Sequence, residues 1–145
     1  MRTRAVLVAA VAVLLSLSGC SREAGPTPKG AAADPGPGAL QMKLEALTTD
    51  VCFTEPTQVD SPGCEKFVTQ LGTMPGMAQK FAGTEHPELA EAGRELDQLI
   101  RAYRAGNCGN EGSDECTDIL VDMSTTLGQV EAGVSKLPEV TTQSS

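Results

Sequence analysis

Apolar residues recur along the chain at spacings of three and four, the pattern of helices that bury one face. Leu40, Leu44, Leu47 and Val51 form the first stripe; Phe67, Leu71, Met74, Ala78 and Phe81 form the second. Leu89, Ala92, Leu96, Leu99 and Tyr103 form the third. The fourth, made of Cys116, Leu120, Met123, Leu127, Val130, Val134 and Leu137, runs through three heptads and predicts the longest buried face. Signals at the ends agree. Pro87 suits a first helical position, Gly83 and Gly106 suit helix ends, and Ser113 or Asp114 can cap the fourth helix. Arg101 and Arg104 fall in the third helix's last turn, and Glu115 and Asp118 near the start of the fourth, each on the side its charge prefers. One local conflict interrupts the second stripe: Pro75 and Gly76 sit inside it, where proline removes a backbone donor and clashes with the preceding turn. A kink or break near Met74 is therefore expected.

These stripes predict an all-α fold, a small up-and-down bundle of about four helices over residues 39–137. What precedes it cannot bury a core. Residues 21–38 carry four Pro and four Gly and read as a flexible linker, spanning about 25 Å if coiled. Residues 138–145 are polar and aperiodic, a tail.

The first twenty residues follow a different logic. Arg2 and Arg4 are followed by eleven consecutive apolar residues, Ala5 to Leu15, the layout of a secretory signal peptide over residues 1–19. Eleven is too few to span a bilayer, which takes about 20. Leu17-Ser18-Gly19-Cys20 then resembles the signal of bacterial lipoproteins: an aliphatic residue, two small ones and a cysteine. That resemblance implies a diacylglyceryl group on Cys20, cleavage in front of it, and an anchor on the extracytoplasmic face of the cell membrane. Two or three acyl chains hold a protein stably where one does so only marginally.

Export changes the reading of the other four cysteines. In an oxidising compartment an even number in a small domain forms disulfides, here among Cys52, Cys64, Cys108 and Cys116. Three connectivities are possible. Local pairing, Cys52 with Cys64 and Cys108 with Cys116, would staple two helical hairpins across their own loops and is the expected one. It places Cys52 at the end of the first helix, with both stapled loops at one end of the bundle and the linker, the 83–87 turn and the C-terminus at the other.

Charge and composition narrow the function. Processing before Cys20 leaves nine Lys and Arg against nineteen Asp and Glu, a net charge of −10. So acidic a body repels nucleic acid and anionic headgroups, and membrane affinity falls to the anchor. Three Phe, one Tyr and no Trp leave few platforms for stacking sugars or bases. The acids concentrate in the two loops: Glu55, Asp60, Glu111, Asp114 and Glu115, with no Lys, Arg or His among residues 53–63 and 109–115. They form an acidic tip that reads either as an ordinary solvated surface or as a patch for a basic or membrane-protein partner; a weak calcium site is the poorer reading, because residues 107–115 lack the spaced oxygen ligands of a calcium loop.

Nothing assembles a catalytic group, a metal centre or a cofactor site. His86 is the single histidine and precedes Pro87, a place for a surface residue or cap. No Cys-x-x-Cys pair occurs, and Met42, Met74, Met77 and Met123 lie at helical packing positions, not at the spacing of a soft-metal site. The expectation is a tethered interaction or accessory module without catalytic activity. Its alternative is a carrier of a small apolar ligand held between helices near Pro75.

Overall fold

The computed structural model describes residues 36–138. The signal segment, Cys20, most of the linker and residues 139–145 lie outside them. Six α-helices and one 3-10 turn follow in order: α1 (Pro37–Leu47), α2 (Val51–Thr54), the 3-10 turn (Ser61–Cys64), α3 (Glu65–Leu71), α4 (Met74–Ala82), α5 (Pro87–Ala105) and α6 (Asp114–Val134). No strand occurs among the described residues. The fold is the all-α, disulfide-stapled bundle that the stripes predict, with differences in how the first two stripes divide.

Pro75 breaks the second stripe. α3 ends at Leu71, and α4 starts afresh at Met74, so Pro75 falls in the first turn of a new helix, where its missing N–H costs nothing. The first stripe also divides. α1 closes at Leu47, and Asp50 caps a separate short helix by accepting a hydrogen bond from the Cys52 N–H at 2.9 Å. Val51 is consequently half-exposed and not part of the core face, and Cys52 belongs to α2, not to the end of the first helix. α1 itself begins at Pro37, so two residues read as linker make its first turn.

α6 is the spine. Cys116, Leu120, Met123, Leu127, Val130 and Val134 are all buried, as the stripe requires, and Thr126 joins them. α5 lies against both α4 and α6 and contributes Leu89, Ala92, Leu96, Ile100 and Tyr103. Ile100 takes the buried position where the spacing pointed to Leu99, which is half-buried. α4 and α5 approach closely at Gly93: a Cβ there would stand 3.0 Å from the Pro75 carbonyl oxygen and 3.1 Å from the Ala78 Cβ. A side chain there would require α4 and α5 to give by a few tenths of an ångström. At the far end, Gly133 of α6 meets Leu89 of α5, and Lys136 reaches Glu88 at 3.9 Å.

The first helix enters in a way that simple alternation does not foresee. Thr48, just past α1, donates to Glu131 near the last turn of α6 (3.5 Å), so α1 delivers the chain toward the far end of α6 and not to the staples. The following residues travel back along α6. The Phe53 carbonyl accepts from the Ser124 hydroxyl at 2.7 Å, midway down, and the Asp60 carboxylate lies against Gly112, just before α6 begins.

Leu127 is fully buried midway along the spine, and Gln129, two positions on, is exposed. Truncation of a buried leucine to alanine typically costs about 2–5 kcal/mol, whereas an exposed polar site changes by less than about 0.5 kcal/mol. Urea unfolding with disulfides intact should separate Leu127→Ala from Gln129→Ala by more than about 1.5 kcal/mol. Coincident midpoints would contradict α6 as the spine.

Candidate functional site

The two stapled loops converge at one pole of the bundle. Disulfides join Cys52 to Cys64 and Cys108 to Cys116, with Cα atoms 5.7 and 5.5 Å apart. This is the local pairing. Closing loops of 13 and 9 residues, each contributes about 2.5–3 kcal/mol in the chain-entropy model. Local chemistry sets the second loop: after α5, Asn107 takes the left-handed conformation (φ 56°), while the Gly106 beside it stays at φ −76°. The Ser113 hydroxyl then caps α6 by accepting from the Cys116 N–H at 3.2 Å, and Asp114 and Glu115 occupy its first turn.

One buried side chain ties loop to loop. Tyr103, in the last turns of α5, is fully buried and donates its hydroxyl to the Ser61 carbonyl at 2.5 Å. Two carboxylates close around this contact, Asp60 against Gly112 and Glu65 against Gly109. Burial pushes the Tyr103 phenol up from 10.0 to about 12, and the negative charges of Glu65 and Asp60 push the same way.

The five acids of the expected tip, Glu55, Asp60, Glu111, Asp114 and Glu115, are all exposed on these two loops and at the start of α6. Glu65 and Asp118, both exposed, complete the pole; they lie outside the two loop interiors, 53–63 and 109–115. Across residues 53–65 and 106–118 there are seven carboxylates and no Lys, Arg or His. The other described residues hold nine acids and seven Lys or Arg, so they are almost balanced. Charge is therefore segregated, with Lys66 and Arg104 as the nearest cations in sequence; the Arg104 guanidinium turns toward Gly72 at the α3–α4 junction.

The other sequence candidates do not converge. His86 stands at the N-cap of α5 without a side-chain cap bond, on an open cleft of about 230 Å³ lined also by Glu85, Glu88, Leu89, Gly133 and Lys136. Met74 and Met123 are buried in the core, Met77 is partly buried, and Met42 is two-thirds exposed on α1. Near Pro75, the place of the alternative apolar-ligand reading, the side chains of Ala78 and Gln79 face Gly93 at 3.1 and 3.2 Å from its would-be Cβ. Among the described residues no three His, Cys, Asp or Glu gather as metal ligands, and no helix is long and apolar enough to cross a membrane. No protein-family model, curated protein or solved structure matches the chain.

Tyr103 is the chain's single tyrosine and there is no tryptophan, so its ionisation can be followed alone by absorbance near 295 nm. In the folded protein the phenol should titrate near pH 12, and in urea near 10. The folded state holds the proton that the unfolded chain releases, so stability should fall as pH rises from about 10 toward 12. A native midpoint near 10 would contradict the burial of the phenol between the loops.

Proposed function

We propose that this protein is a membrane-tethered extracytoplasmic lipoprotein and that its helical domain is an interaction or accessory module without catalytic activity of its own. The observation that carries the reading is Leu17-Ser18-Gly19-Cys20, one residue after a charged start and eleven apolar residues. The two disulfides support it, because such bonds persist in exported proteins and are rare in reducing compartments. Charge segregation supports the module. An acidic pole on a near-neutral body raises the encounter rate with a basic surface and suppresses encounters with acidic ones, and this steering weakens as salt rises. A basic protein surface, held near the same membrane, is the partner this face fits.

Metabolic labelling with an alkyne fatty acid tests the tether. The wild type should be labelled and recovered with membranes; Cys20→Ser should be unlabelled and keep its uncleaved signal segment. Equal labelling of both forms would refute lipidation at Cys20.

A further inference from the structure

We infer that the two disulfides form a clamp that holds a like-charged pole closed, so that reduction opens the pole alone and leaves the α4–α5–α6 body folded. The inference stands on placement within the folded domain and does not depend on the tether.

Three observations carry it. Both disulfides close the same end of the molecule: each loop at the pole is fastened at its root, one by Cys52–Cys64 and the other by Cys108–Cys116. The clamped loops carry five carboxylates, Glu65 and Asp118 add two just outside the closures, and no cation falls within residues 53–65 or 106–118. Like charges at this density push the loops apart, and nothing of opposite sign within them offsets it. Against that push stand the Tyr103–Ser61 hydrogen bond and the partly buried Phe53 and Val59 packed under the first loop. The body has its own means of staying together. Met74, Ala78, Leu89, Ala92, Leu96, Met123, Leu127 and Val130 are buried on helices α4, α5 and α6, and the close approach at Gly93 lies on the α4–α5 contact.

The chemistry of opening is thiol–disulfide exchange with a dithiol. The reductant's thiolate attacks one sulfur, the protein S–S bond breaks through a mixed disulfide, and the reductant closes on itself as it gives up two electrons. Each protein disulfide gains those two electrons and two protons and becomes two thiols. The four cysteines are at most 4% exposed, so exchange follows local opening, and once reduced the pole has lost the covalent closure that returned it. Salt is the second control, because repulsion between exposed carboxylates reaches about 30 Å at 0.01 M ionic strength and about 3 Å at 1 M.

Hydrogen exchange read by mass spectrometry on the full-length protein in mild detergent tests this, with dithiothreitol as the dithiol. Cys52→Ser/Cys64→Ser/Cys108→Ser/Cys116→Ser serves as a second, permanently open form. In low salt, both the reduced protein and the variant should exchange about tenfold or more faster over residues 50–65 and 106–118, with residues 87–100 and 120–134 unchanged. Raising NaCl to about 1 M should return most of the lost protection at the pole. In parallel, the Tyr103 phenol should titrate closer to 10 in the open form. Loss of protection in pole and body together overturns the inference, as does a pole whose exchange ignores reduction or salt. A chain that stays unfolded without its disulfides at both salt concentrations overturns it too.

Discussion

Two acidic loops are held side by side, and the contact that registers them is the buried Tyr103 hydroxyl on the Ser61 carbonyl. Tyr103 sits on α5 just ahead of one stapled loop, and Ser61 sits inside the other, so a single hydrogen bond registers two covalently closed segments against each other. The disulfides limit how far each loop can stray when unfolded, and the tyrosine decides where they meet when folded. Asp60 and Glu65 then lie against the backbone of the opposite loop at Gly112 and Gly109, positions where a side chain would collide with them. The acidic pole results from this arrangement and from the absence of any basic residue in the loops that form it.

Much of the fold was legible because helical burial is written at fixed spacing. The α6 stripe is buried from Cys116 to Val134 without exception, and the Pro75 conflict falls where a new helix begins. The misreadings have local causes. Val51 continued a pattern that Asp50 ends by capping α2, and Leu99 matched the spacing while the neighbouring Ile100 takes the buried place. The course of α1 had no local signal. Its approach to the far end of α6 rests on Thr48 meeting Glu131 and on Ser124 meeting Phe53, partners 83 and 71 residues apart that no periodicity encodes.

The candidate site divides in the same way. A count of charges between the cysteines was enough to find Glu55, Asp60, Glu111, Asp114 and Glu115, because loop acids stay on loops wherever those loops go. Glu65 follows Cys64 directly and could have been found by carrying the count two residues further, past the cysteine. Tyr103 could not. It fits the third stripe as ordinary core, and only the folded chain brings its hydroxyl to Ser61 and its ring beside two carboxylates.

Three features meet in this chain: a cysteine that resembles a lipid attachment site, a disulfide-stapled bundle, and a pole where the domain's net charge is concentrated. The proposal that follows from them is that the pole is the face through which a tethered module meets a partner. Site-specific photo-cross-linking in intact cells tests this most directly, with the reactive group at position 111 on the pole and at position 129 on the exposed side of α6. The account predicts a discrete adduct to a protein with a basic surface from position 111 and none from 129. Equal adducts from both positions, or an adduct from 129 alone, would contradict it.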